Sequence, residues 1–358
     1  MKGFLSFLLL GSLLLAGYLL LWPGPIEPAA WTPPTNPGWT GVYAQNQQLA
    51  GVQRLASGGG VGPEAVVVGP DGRVYSGYID GRLIAVNPST DTVEVLENTG
   101  GRPLGVQFGA AGELYVADAV HGLMVRRGSG ELEVLSNQYR GQRLGFVDDL
   151  DIDSQGRIYF SDASAKFGVT QVRADFFEHR GNGALLRYDP STGETEQLAD
   201  QLYFPNGIAV GPDDAYVLVN ETAKYRVLRY WLKGEKSGQM DVFIDNLPGF
   251  PDNITYNDAG TFWVAMYGPR SADLDALLPR PFLRKLVFRL PEWLQPSPAH
   301  DSLVLGLNTE AEVVANLQYR GEDAYAPITS VREHDGWLYL GSLSADAIGR
   351  IQLPEALP

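Results

Sequence analysis

From residue 62 onward, one phrase recurs along this 358-residue chain. A short polar opening leads into an alternating apolar run and then into a glycine or aspartate turn. The copies read GPEAVVVGPDG from 62, RPLGVQFGAAG from 102, FVDDLDIDSQG from 146, FPNGIAVGPDD from 204, FPDNITYNDAG from 250 and PITSVREHDG from 327. A second apolar run follows each copy: RVYSGY, ELYVAD, RIYFSD, AYVLVN, TFWVAM and WLYLGS. Third and fourth runs often come next, such as GALLRYDPSTGE and MDVFIDNL. Four strands per unit and six units specify an all-β ring, a six-bladed β-propeller. The 42 glycines and 24 prolines supply the turns such a chain needs. A β-sandwich with extra strands does not account for six units built alike.

The last unit has three strands, ending in AIGRIQL. The missing outer strand is expected from the start of the domain, within QQLAGVQRLA, residues 47–56. Such an exchange would lock the ring.

In a propeller the first strand of each blade lines the central channel. Glu64, Leu104, Asp148, Asn206 and Asp252 each stand eight residues before their turn position, and Thr329 stands seven before Gly336. Three carboxylates and an amide, with Asn253 beside them, are therefore expected at one end of the axis. Like charges so close raise one another's pKa and call for a counter-charge. An all-oxygen set without histidine or thiolate suits a hard cation, Ca²⁺ first, with Mg²⁺ or Mn²⁺ behind it. Taken singly, PDN or PNG means only a turn. The shared register in four of the six units is what speaks for one cation in the channel.

The net charge of −15 argues against nucleic acid, whose phosphates would be repelled. It is compatible with cation binding, although an acidic surface more often serves solubility. With no cysteine, disulfides, thiolate metal sites and cysteine nucleophiles are excluded. There is no G-x-S-x-G elbow and no H-E-x-x-H zinc motif.

The amino terminus carries FLSFLLLGSLLLAGYLLLW, residues 4–22, without a charge. At about 1.5 Å per residue this run just spans a hydrocarbon core of about 30 Å. A cleaved signal would have a shorter apolar region and a small-x-small site after it. Residues 1–22 are therefore expected to be a single-pass anchor, 23–45 a stiff proline-rich linker, and 46–358 a propeller on the exported side.

Two insertions interrupt the strand pattern. KFGVTQVRADFFEHRGNG, residues 166–183, can overhang the channel mouth, where His179 or Glu178 could act as a base. The plainer reading of His179 is a solvent-facing loop histidine. Residues 273–296 mix Leu, Phe and Trp with Arg280, Arg284, Lys285 and Arg289. One reading is a cap that touches a membrane surface. The other makes KLVFRL the third strand of the fifth blade, with the rest packed on the rim.

The stretches GRPLGVQFGAAGELYVADAVHGL, FVDDLDIDSQGRIYFSDASAKF, GALLRYDPSTGETEQLADQLYFPNGIAV, NLPGFPDNITYNDAGTFWVAM and REHDGWLYLGSL give the chain a resemblance to the strictosidine synthase-like family. It is more distantly similar to paraoxonases, diisopropyl fluorophosphatase and the regucalcin/gluconolactonase group. The resemblance implies a six-bladed propeller, channel calcium, and hydrolysis of aryl esters, lactones or phosphotriesters. By position, Glu64, Asn206, Asp252 and Asn253 match the metal ligands of the hydrolytic relatives. Asp148 stands where those relatives usually have asparagine, a change that should tighten cation binding and weaken Lewis-acid activation. Ala65 replaces the aspartate that serves a second calcium in paraoxonases, so one ion is expected. Thr329 replaces the glutamate that strictosidine synthase uses to condense an amine with an aldehyde, and a hydroxyl at its ordinary pKa cannot serve as that base. Leu104 replaces the histidine of paraoxonases.

The expected protein is a membrane-anchored, calcium-dependent hydrolase of a small-molecule ester or lactone. Asp252, or a water it activates, would attack, with His179 as a further candidate base. Leu104, Phe146, Phe204, Phe250 and Thr329 would line the substrate pocket. The alternative is a non-catalytic, calcium-stabilised binding scaffold.

Overall fold

The computed structural model describes residues 2–296 and 299–354, so positions 355–358 of the expected propeller lie outside the described residues. Six four-stranded antiparallel sheets form the blades. Their inner strands are Val66–Val68, Pro103–Phe108, Val147–Ile152, Pro205–Val210, Gly249–Tyr256 and Ser330–His334. In five blades the strands follow one another in chain order. In the sixth the outermost strand is Gln53–Leu55, paired antiparallel to Ile348–Gln352 with Gln53 opposite Arg350 and Leu55 opposite Ile348. The expected closure of the ring is present.

Each blade lies between two others, so its middle strands bury both faces. Leu114–Asp118 and Ile158–Asp162 are buried at every position, whereas the outer strand Val93–Asn98 is largely exposed. This is why the second strands read as unbroken apolar runs rather than strict alternation. Six apolar clusters sit at the six blade boundaries, for example Leu218 and Val227 against Ile254 and Val264. Burying each such side chain stabilises the ring by about 1.5–3 kcal/mol. The turn after the inner strand uses Gly112 at φ +86 and Gly260 at φ +97, a region that other residues enter only with strain.

Among the described residues, four α-helices stand outside this pattern: α1 (Lys2–Leu21), α2 (Val172–Glu178), α3 (Ala272–Leu277) and α4 (Pro281–Phe288). Among them, α1 is long and apolar enough to cross a membrane. KLVFRL is not a strand, because most of it lies in α4 and the third strand of the fifth blade is Ser302–Leu307. Two local causes favour the helix. Pro281 occupies the first turn, where its missing N–H costs nothing. Arg284 on α4 is fully buried and donates from Nη1 to the carbonyls of Phe177 (3.0 Å) and Glu178 (3.3 Å). These are orphaned carbonyls at the carboxyl end of α2, where a cation is favoured.

The proline-rich segment is not a free spacer. It lies as a strap along these helices: Ala29 donates to Glu178 O (3.0 Å), Trp31 donates to Leu278 O (3.1 Å), and Arg284 Nη2 donates to Ala29 O. Ile26 is buried against Phe167, Phe177 and Phe288. α2, α4 and the strap together make a cover over one end of the channel.

Candidate functional site

The inner strands do not run straight through the channel. Their pairing with the second strand slips between Pro103 and Val106, Val147 and Leu150, Pro205 and Ile208, and Pro251 and Ile254. A bulge sets two residues against one and re-aims their side chains. The bulged pairs are Leu104–Gly105, Asp148–Asp149, Asn206–Gly207 and Asp252–Asn253. Here two glycines are required by close approach of neighbouring inner strands. A Cβ on Gly207 would lie 2.4 Å from Ile254 N, and one on Gly105 would lie 2.8 Å from Asp149 Cα.

These bulges gather the expected residues. Glu64, Asp148, Asn206, Asp252 and Asn253 are all buried. The Asn253 amide donates to Glu64 Oε1 (3.0 Å), and the Asn206 amide hydrogen-bonds the Asp252 carboxylate. The backbone of the Asp252 bulge is fixed from the preceding blade, where Asn220 Nδ2 donates to Asp252 O (2.5 Å) and Thr222 Oγ1 to Pro251 O (2.7 Å). Burial pushes the carboxyls of Glu64, Asp148 and Asp252 well above their ordinary range, and repulsion among the channel carboxylates pushes them further. Arg102, also buried, draws Glu64 and Asp148 partly back down.

Three buried oxygens in this group lack a hydrogen-bond partner: Glu64 Oε2, Asn206 Oδ1 and Asn253 Oδ1. Each would cost about 1–3 kcal/mol if left so. Among the described residues no three carboxylate, imidazole or thiolate side chains close on a single point as a ready metal cage. The converging oxygens are a mixture of carboxylate and amide, so the expected cage of three carboxylates is looser than the register implied. The arrangement still fits a hard cation, since the unpartnered atoms are all oxygen acceptors.

An apolar wall adjoins this cluster. Leu104, Phe146 and Phe204 pack together with Ala119, Ala163 and Ala223. Phe176 of α2 lies over them, 4.9 Å from the Phe204 ring centre and 5.9 Å from that of Phe250. Phe176 therefore joins the fourth expected wall residue, Phe250, to the other three. Thr329 is buried, but its hydroxyl donates to Glu64 O (2.8 Å). It braces the backbone of a candidate ligand rather than facing a free space.

Known proteins can now be set beside this geometry. The strictosidine synthase family model matches residues 148–235, and the strictosidine synthase-like amino-terminal model matches 41–86. The adipocyte plasma membrane-associated protein of Bos taurus is 34% identical, over 97% of this chain and 90% of its own. The chain belongs to the strictosidine synthase-like family. The Arabidopsis thaliana member named strictosidine synthase-like 6 is 33% identical, over 85% of this chain and 82% of its own. Among solved structures, a gluconolactonase of Xanthomonas campestris shares the fold at a TM-score of 0.62 and 16% identity, covering 93% of this chain and 99% of its own. A calcium-binding regucalcin of Agrobacterium tumefaciens does so at 0.56 and 14%, covering 87% and 98%.

Within this strictosidine synthase-like propeller, two candidates are not where the sequence reading put them. His179 does not face solvent at the mouth. It is 2% exposed, takes a left-handed backbone at the end of α2, and stacks on Trp31 with ring centres 4.7 Å apart. Burial, then the charges of Lys224 and Arg284, pushes its pKa down to about 2, so it is a poor proton acceptor. Glu178 is engaged as well, by Lys166 Nζ (2.5 Å) and the Glu27 N–H (2.8 Å). The partner that buries His179 lies 148 residues upstream, which no local pattern shows.

Other channel residues were missed. Asp149 is buried, accepts the Ile208 N–H (2.9 Å), and is pushed up to about 7 by burial. The doubled letters of DD and DN were its signal, since a bulge turns both members of such a pair to use. Arg102 stands two residues before Leu104 and was hidden by its position in a turn.

Proposed function

We propose that the channel cluster is a Ca²⁺-dependent hydrolytic site for esters or lactones. Glu64, Asp148, Asn206, Asp252 and Asn253 would hold the ion. The observation that carries this reading is the set of three buried, unpartnered oxygens on Glu64, Asn206 and Asn253, beside carboxylates that burial alone leaves strained toward protonation. When bound, the ion supplies a Lewis acid for the carbonyl oxygen of the substrate. Asp252 is the candidate attacking group or general base, held by the Asn206 amide and by a backbone that Asn220 and Thr222 fix. Leu104, Phe146, Phe204 and Phe250 would seat an apolar acyl or aryl group and exclude water, with Phe176 moving aside to admit it. Thr329, whose hydroxyl is committed to Glu64 O, supplies no base for an amine–aldehyde condensation. In this reading α1 would cross a membrane and the propeller would stand on its exported side.

The test uses the full chain in lipid nanodiscs, with phenyl acetate and a series of lactones. Activity that disappears with a chelator, returns with Ca²⁺, and is absent in Asp252→Asn with its folded structure intact by circular dichroism supports the reading. A second reading is favoured by the Phe176 lid and the apolar Leu104: a Ca²⁺-stabilised scaffold without turnover. It predicts a melting shift with Ca²⁺ and no hydrolysis of any ester. Sidedness is checked by labelling a single surface cysteine with a membrane-impermeant reagent on intact cells.

A further inference from the structure

Among the described residues, the cover over the channel has an outer face with no partner. On α4, Phe282 is 59% and Leu283 40% exposed, while Arg284, Val287 and Phe288 turn inward. In the turn that follows, Trp293 is 80% and Leu294 50% exposed. Exposed apolar groups gathered this closely mark a contact surface rather than ordinary scatter. The basic residues divide between two tasks. Arg284 is used inside, as described above. Arg289 donates from Nη1 to Leu19 O (2.5 Å) and from Nη2 to Trp22 O, capping the end of α1. Tyr18 Oη returns a bond to Arg289 O (3.1 Å).

That clamp decides what covers the face. The apolar span of α1 has no buried share and is long and apolar enough to cross a membrane. Its end is bonded directly to the end of α4, so the medium around α1 continues onto α4. Between them lies a cavity of about 250 Å³ lined by Trp22, Glu27, Lys285 and Arg289, among others.

We infer that α4 and the turn at 292–294 lie in the interface of the bilayer that α1 crosses, with Phe282, Leu283, Trp293 and Leu294 dipped into it. The ring is then fixed with the covered end of its channel toward lipid, because α4 packs on α2 and α2 lays Phe176 over Phe204 and Phe250. A helix with one apolar face and a tryptophan at its margin suits that depth. The inference stands apart from the hydrolytic reading, since it concerns orientation and not turnover.

The absence of native cysteine makes single labels unambiguous. The full chain would be placed in nanodiscs with a nitroxide at Phe282→Cys, Trp293→Cys or Gln155→Cys. Gln155 is an exposed turn residue at the other end of the channel. Collision with oxygen, which concentrates in lipid, is compared with collision with a water-soluble nickel chelate. Labels at 282 and 293 should meet the nickel chelate at least fivefold less than the label at 155. Equal nickel access at all three positions would overturn the inference. All three side chains are exposed, so the labels should leave the fold intact, and circular dichroism of each labelled chain separates a folding defect from either result.

Discussion

The two halves of the central channel use the same residue types to opposite ends. Toward the cover, Glu64, Asn206 and Asn253 each keep an oxygen without a partner. Deeper in, Asp151 accepts from Val210 N (2.8 Å), Ile152 N (2.9 Å) and Gln107 Nε2 (3.0 Å), and Asp149 accepts from Ile208 N. The charge of Arg332 bears on both of these carboxyls. Each half has an arginine charge bearing on it, Arg102 above and Arg332 below, but only the deep half has its carboxylate lone pairs filled by backbone and amide donors, while three oxygens of the upper half are left for something from outside. A carboxylate on the axis is therefore not by itself a sign of a site. Whether its lone pairs are already spent is the sign.

Four experiments bear on this contrast, in falling order of expected effect. Arg332→Leu should destabilise the chain by about 3 kcal/mol in urea unfolding, because it removes the positive charge that bears on both deep carboxyls. It should leave Ca²⁺ affinity within about twofold; a large loss of affinity would show that the halves are one site. Next, Asp252→Asn should weaken Ca²⁺ binding about a hundredfold by calorimetry, or ~3 kcal/mol, whereas Asp151→Asn should not. Third, Ca²⁺ at a hundredfold excess over its Kd should stabilise the wild type by about 2.7 kcal/mol, an increment that chelator removes and Asp252→Asn lacks. The smallest effect tests the cover rather than either half. His179 stays neutral when folded, with its pKa down at about 2, while the unfolded chain takes up a proton below about pH 6.5. Its stabilisation is complete above pH 6.5 and is lost as pH falls, by about 1.4 kcal/mol per unit. The gap between wild type and His179→Gln should therefore narrow from pH 7.5 to pH 5.5, read by chemical denaturation.

The ring and its axis were legible because both are periodic. A turn at fixed distance from each inner strand marks Glu64, Asp148, Asn206 and Asp252 without help from tertiary contacts. The exchange of residues 53–55 into the last blade was legible from a unit one strand short. The bulges were not, since pairing slips leave no mark in apolar periodicity, and so Asp149 was passed over. The cover was read least well. KLVFRL alternates well enough to suit a strand, and it becomes a helix because Arg284 finds carbonyls on α2, more than 100 residues earlier. His179 likewise owes its burial to Trp31, in a strap that composition alone describes as a spacer.

The exchange that closes the ring also sets an order of events. Gln53–Leu55 is among the first strands made, and its partner Ile348–Gln352 is among the last. Throughout synthesis the early strand waits while five blades assemble. The thermodynamic penalty of so long a wait is mild, since doubling a loop adds only about 0.6 kcal/mol to its closure. The kinetic exposure is not. Until the final strand arrives, the sixth blade has an open edge, a ready template for a neighbouring chain. A chain stopped short of residue 348 would be left an unsealed ring, prone to join its copies edge to edge.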